Sequence, residues 1–261
     1  VITGIAGLKV HSKICLITRR EKNIKTYYGC IGTGNLHEKS ARIYTDVQLL
    51  TCNQSITREA RQLFSFFEKN YYVPKFHHLL VAPFNLRSRL YYLINREKRN
   101  AKAGKKAEIF IKINNLVDID MIEKLYAASK AGVKIRLIVR GICALIPKLI
   151  GFSENIEAIS IVDKYLEHPR IFMFHNDGKP EVFIGSADLM ARNLDYRVEV
   201  AVPIVDVKLK KQLIDIIELQ WSDNVKARIF DATQSNTFKT SNAGEIAIRS
   251  QDAVYDFLKR L

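Results

Sequence analysis

Two histidines in this chain each stand two residues ahead of a cation, in His11-Ser12-Lys13 and in His168-Pro169-Arg170. An imidazole held neutral beside a cation keeps a lone pair for attack near neutral pH, because the nearby charge disfavours the imidazolium. The cation also places positive charge where an attacked phosphoryl group carries its oxygens. Histidine is then a credible covalent nucleophile. Each pair is followed by a small-residue turn, Gly32-Thr33-Gly34-Asn35 after the first and Gly185-Ser186-Ala187-Asp188 after the second. The alignment continues without a gap, placing Lys39 on Arg192, Tyr44 on Arg197, Asp46 on Glu199 and Val47 on Val200. One site is written twice, the pattern expected when two lobes meet about a pseudo-two-fold axis. A chance likeness between two strand-turn-strand segments is the alternative.

Period-two spacing puts His11 and Lys13 on one face of an extended strand, and His168 and Arg170 on one face of another. Arginine offers a bidentate fork where lysine offers a point charge, so one histidine can attack while the other shares a proton. The turns expose backbone N–H groups that suit phosphate oxygens, and Asn35 closes the first of them. Asp46 and Glu199 either fix the facing imidazoles in one tautomer or pair with Arg42 or Arg197. Arg140 follows a strand, Leu137-Ile138-Val139, where α/β sheets bind ligands, and Lys112 ends another. Arg87 is expected to bind phosphate because it lies by a helix N-terminus. Arg136, Arg89, Arg96, Lys98 and Arg99 read as solvated, and His37, His77, His78 and His175 as structural or exposed.

The 261 residues carry 41 Lys+Arg against 27 Asp+Glu, a formal charge of +14, which favours a polyanionic partner: nucleic acid, anionic lipid or a phosphate polymer. Cysteines 15, 30, 52 and 143 form no metal-like spacing and read as reduced core residues of a cytoplasmic protein. No apolar run reaches the ~18 residues of a membrane span.

Strands are expected over 7–18, 27–32, 44–51, 79–82, 108–114, 133–139, 158–162, 170–174 and 181–185. Helices are expected over 57–69 with Thr57 as cap, 86–103, 119–131 ended by Gly132, 207–221 and 246–261, with a polar loop over 232–245. The alternation argues for α/β layers with a mixed sheet in each lobe. The boundary falls at 70–78. About ninety residues of α/β pattern precede His168 and ten precede His11, so the first lobe reads as lacking its opening elements and the chain as a fragment.

The duplicated His-x-Lys site resembles the phospholipase D-like superfamily, although the acid expected seven residues after each histidine is replaced by Thr18 and His175. The strings Lys9-Val10-His11-Ser12-Lys13, Ile31-Gly32-Thr33-Gly34-Asn35 and Ala41-Arg42-Ile43-Tyr44-Thr45-Asp46 point more narrowly. With Leu137 to Cys143 and Tyr165-Leu166-Glu167-His168-Pro169-Arg170 they are similar to the C-terminal catalytic part of the polyphosphate kinase family. The resemblance implies two phospholipase D-like lobes, 1–76 being the C-terminal part of the first and 77–261 the second, each a mixed sheet flanked by helices. It implies that His11 is phosphorylated by ATP and that Tyr44, Arg140 and His168 contact ATP. Lys13, Asn35, Arg87, Lys112 and Arg170 join them as phosphate-binding candidates, with no metal ligand among the chain's residues. Magnesium is expected as cofactor through arginines upstream of this chain. ATP, ADP and inorganic polyphosphate are the expected partners, with a homo-oligomer for the full-length enzyme, peripheral membrane association, and no nucleic acid. By itself the piece is not expected to make polyphosphate at a normal rate. A phosphodiesterase using both histidines, or a non-catalytic polyanion-binding module, are the rival readings.

Overall fold

The computed structural model describes residues 2, 4, 5, 7–240 and 244–261. Its largest element is a nine-stranded mixed sheet. The centre is three parallel strands, β6 (Glu108–Ile113), β7 (Lys134–Val139) and β8 (Ile156–Ile161), given these numbers by their order in the chain. On one side β9 (Arg170–Phe174), β10 (Glu181–Gly185) and β11 (Arg197–Pro203) continue it antiparallel, and β12 (Ala227–Ile229) closes the other side against β8. Two short strands share the free edge of β11. β5 (Leu80–Ala82) pairs antiparallel with Glu199–Ala201, while β1 (Lys9–Val10) runs parallel to Arg197–Val198.

Both faces of this sheet are covered, as a parallel centre requires. Ile109, Ile111 and Ile113 point to one face with Phe172 and Phe174, under α3 (Leu86–Lys102) and α4 (Ile119–Lys130). Phe110, Ile171 and Met173 point to the other, under α2 (Gln54–Glu68) and α6 (Val207–Trp221). Helix α2 comes from the first half of the chain and α6 from the second, so one apolar layer joins both halves. A separate three-stranded sheet, β2 (Lys13–Glu21), β3 (Ile24–Gly32) and β4 (Gln48–Thr51), is antiparallel throughout, a correction to the mixed sheet expected of the first lobe. Short helices α1 (Glu38–Ala41) and α5 (Ala191–Asp195) follow the two glycine turns, and α7 (Ser250–Lys259) lies near the C-terminus.

Several expected bounds move for identifiable reasons. Helix α2 begins three residues before Thr57, capped by Asn53, whose side chain accepts from the Ser55 N–H at 3.0 Å. The Thr57 hydroxyl instead bonds back to the Asn53 carbonyl within the helix. The single strand expected over 7–18 is broken at His11 and Ser12, whose N–H groups both reach the Val198 carbonyl at 2.9 Å. Strands β11 and β12 were absent from the sequence reading. Helix α7 starts at Ser250 and not at 246, and Gly132 ends α4 in the left-handed region at φ +93°. Within 232–245 the described residues form neither helix nor extended strand; 241–243 lie outside the described residues.

Candidate active site

The duplication is built into the backbone. Lys13 stands opposite Gly32 across β2/β3, and Arg170 opposite Gly185 across β9/β10. Arg197 bridges Lys9 in parallel, and Tyr44 bridges Leu166 in parallel, so each half adds the residues before its histidine to the other half's strand. The Thr33 N–H reaches the Val47 carbonyl and the Ser186 N–H the Val200 carbonyl, both at 3.0 Å. The glycines follow from this closeness. A Cβ at Gly34 would lie 1.7 Å from an Asp46 carboxylate oxygen, and one at Gly185 would lie 2.8 Å from the Val200 carbonyl.

The acids cross over. His11 Nδ1 lies 2.9 Å from Glu199 Oε2, and His168 Nδ1 lies 2.7 Å from Asp46 Oδ1. A carboxylate only accepts, so both imidazoles carry their proton on Nδ1 and have Nε2 as the lone-pair nitrogen. Glu199 is fully buried and accepts further bonds from the Ser186 hydroxyl and from Asn193 Nδ2 at 2.7 Å. Asp46 accepts from the Thr33 hydroxyl at 2.6 Å. Burial works to raise the Asp46 pKa, but the hydrogen bonds from His168 and Thr33 outweigh it and hold the carboxyl below its usual range.

The two lone pairs differ in availability. Arg170 Nη1 donates to His168 Nε2 at 2.8 Å, whereas His11 Nε2 has no hydrogen-bond partner among the described residues and its side chain is 27 % exposed. The cations differ too. Arg170 is buried and faces Asp188, with Nε and Nη2 each 3.3 Å from a carboxylate oxygen. The residue aligned with Asp188 is Asn35, exposed and uncharged, so Lys13 has no equivalent acid. Lys13 is also buried, with Nζ bonded to the His11 carbonyl. Burial lowers its pKa to about 8 against the opposing pull of Glu199, and the Arg170 charge pushes the same way as burial.

Tyr44 packs edge-on to His168 with centroids 4.9 Å apart. Arg140 donates from Nε to Asn114 Oδ1 at 2.8 Å, and Asn114 Nδ2 reaches the His168 carbonyl at 3.3 Å, so β6 and β7 deliver Arg140 to the same centre. Two phosphate-binding expectations fall elsewhere. The Arg87 guanidinium is taken up by Asp118 at 2.8 Å and Asp195 at 2.6–2.9 Å, tying α3 to α4 and α5. Lys112 points to the opposite face of β6 from its neighbours Ile111 and Ile113. It is buried with Glu167 and, at 3.0 Å, Gln220. Nor is Arg136 solvated: it is buried, bonded to Glu108 and Glu218, and stacked on Phe110 and Trp221. Asp188, Asn114, Ser186 and Asn193 are the positioning residues sequence reasoning missed. Ser186 and Asp188 lie inside the repeat, and their alignment with Thr33 and Asn35 was the available signal.

Among the described residues no three His, Cys, Asp or Glu side chains gather to hold a metal ion. Glu199 and Asp46, the acids beside the two histidines, are each taken up by imidazole and hydroxyl donors, and no chemical step is routed through magnesium. No helix is long and apolar enough to cross a membrane.

The chain matches two families along its length, Polyphosphate kinase C-terminal domain 1 over residues 1–73 and Polyphosphate kinase C-terminal domain 2 over residues 79–251. Over all 261 residues it is 54% identical to a polyphosphate kinase of Vibrio vulnificus and 48% identical to that of Escherichia coli. It spans 37% and 38% of the length of those relatives. The fold superposes on the crystal structure of polyphosphate kinase from Porphyromonas gingivalis with a TM-score of 0.93 at 43% identity, covering 98% of this chain and 40% of that one. A twice-built histidine site, an α/β frame and these matches together show that the chain belongs to the polyphosphate kinase family, as its C-terminal domains 1 and 2.

Proposed function

We propose that this chain supplies the reacting centre for reversible transfer of the ATP γ-phosphoryl group to inorganic polyphosphate, through a phosphohistidine at His11. The observation that carries the proposal is the difference between the two Nε2 atoms: open at His11, capped by Arg170 at His168. In the first half-reaction the His11 Nε2 lone pair forms an N–P bond to the γ-phosphorus. The P–O bond to the β-phosphate breaks, and ADP leaves with that electron pair. In the second, a terminal oxygen of the phosphate chain attacks the phosphorus, and the N–P electrons return to Nε2. Glu199 stabilises the positive charge that gathers on the His11 ring. Lys13, Arg170 and Arg140 face the equatorial oxygens, where phosphoryl transfer is mainly stabilised. Tyr44 and His168 bound the nucleotide side, with Asn35 at the turn. A phosphoramidate is a good donor, so abundant ADP drives the reaction backwards.

The test is exposure of the full-length protein to ATP labelled in the γ-phosphate. An acid-labile, base-stable label that disappears in His11→Ala, released with one ADP per phosphate bound, is expected. Cleavage of a phosphodiester in place of labelling would favour the diesterase reading. Unchanged polyanion binding in His11→Ala with no labelling at all would leave only a binding module.

A further inference from the structure

A second concentration of positive charge lies at the opposite end of the large sheet from the histidines. A pocket of about 300 Å³ is lined there by His77, His78, Arg89 and Lys210, with Glu181 as its acid. Glu181 opens β10 and Gly185, which faces Arg170, closes it. Four steps at ~3.3 Å per residue put the pocket roughly 13 Å from the reacting centre along that strand.

The pocket is held in shape by the interior. Buried Glu59 on α2 accepts the backbone N–H groups of His77, His78 and Leu79 at 2.8–3.1 Å. Both imidazoles are therefore presented from a fixed segment. Among the described residues the side chains of His77, His78 and Lys210 have no hydrogen-bond or ion-pair partner. Arg89 lies 4.7 Å over the Tyr92 ring and 4.0 Å from Glu181, and Glu181 is already bonded to Arg96. Arg89 and Lys210 against Glu181 leave one positive charge in the lining, without counting either imidazole, and Arg96, which bonds Glu181, is itself matched by Glu97 at 3.5 Å. Unpartnered side-chain donors on an anchored backbone, surplus charge and a concave wall suit an anion with several oxygens.

We propose that this pocket is a second phosphoanion site, which holds a segment of an inorganic phosphate chain away from the reacting end. Only the choice of ligand rests on the function proposed above. Held there, a long chain meets the reacting centre at raised effective concentration, whereas ATP and short chains gain nothing.

The test compares Arg89→Gln/Lys210→Gln with the parent full-length protein, using long-chain inorganic polyphosphate, inorganic tripolyphosphate and ADP as probes. The expected result is a loss of about tenfold in long-chain affinity, within the range for two surface ion pairs, with a shallower salt dependence. Labelling of His11 by ATP stays unchanged. Tripolyphosphate is also expected to shift the imidazole NMR signals of His77 and His78 in the unmutated protein, a readout that needs no substitution. Unshifted signals, an unchanged long-chain affinity, or a site that takes ADP and not inorganic phosphate would each overturn the proposal. If ATP fails to label His11 while the pocket still binds the chain, the proposed reaction fails and this site stands.

Discussion

At the scale of single residues, chemistry is assigned by what each nitrogen already holds. His168 and His11 have the same sequence context, yet an arginine N–H occupies one lone pair and leaves the other open. His168→Ala is expected to lower synthesis by ~10²–10⁴-fold, the range for positioned acid-base groups, and Arg140→Ala by ~10²–10³-fold, the range for a donor to developing charge, while circular dichroism of both remains that of the parent. Unfolding of either variant would make these residues structural. Glu199→Gln keeps a hydrogen-bond partner for His11 but removes the buried charge. Its labelling rate is expected to fall ~10–100-fold or more; a rate equal to the parent's would show that Glu199 plays no part in the transfer. Lys13 gives the site a pH dependence. Its folded pKa of about 8 lies below the ordinary 10.5, so between those values the unfolded chain binds more protons, and stability rises with pH across that window. Phosphate binding goes the other way, because it needs the protonated amine. The KM for ATP should rise above pH 8, and Lys13→Arg should flatten that limb. An identical limb in both proteins would assign the titration to another group.

Elements decide which cations reach the site and which tie the frame. Arg87 stands in the first turn of α3, where an anion site was expected, but Asp118 caps α4 and Asp195 ends α5 within its reach. Arg87→Ala should cost ~2–3 kcal/mol in urea unfolding, as for a hydrogen bond between charged groups, and leave the KM for ATP near its parent value. A raised KM without loss of stability would restore the phosphate-binding role. The sequence carried the helix over Val207–Trp221 to the residue, because its apolar spacing and the Asp206 cap agree. It carried both histidine-cation pairs for a similar reason, since a repeat needs only residue types and spacing. Lys112 and Arg136 escaped it, because alternation gives the face and not what covers that face. Here α6 lies over both, bringing Gln220 to one and Glu218 to the other. Strand β11 was not picked out although Val198, Val200 and Val202 alternate; the segments of β1 and β5 were expected as strands, but their pairing with β11 joins distant parts of the chain, and no local pattern announces it.

At the scale of the whole molecule, the halves are interlocked. Each histidine is oriented by an acid from the other half, and α2 packs with α6 on one face of the sheet, so the site forms only when both halves fold together. Disrupting the first half, for example with Leu63→Asp in the α2 core, should abolish labelling even though His168, Arg170 and Arg140 all lie in the second. The central claim is narrower: the Nδ1–H bond to Glu199 leaves Nε2 of His11 as the only nitrogen of that ring able to attack. Base-stable phosphohistidine, prepared from ¹⁵N-histidine-labelled protein and ATP and examined by ³¹P–¹⁵N coupling, reads this directly. The geometry predicts phosphorus bonded to Nε2 of His11. Phosphorus on Nδ1 of that ring, or on His168, would contradict it.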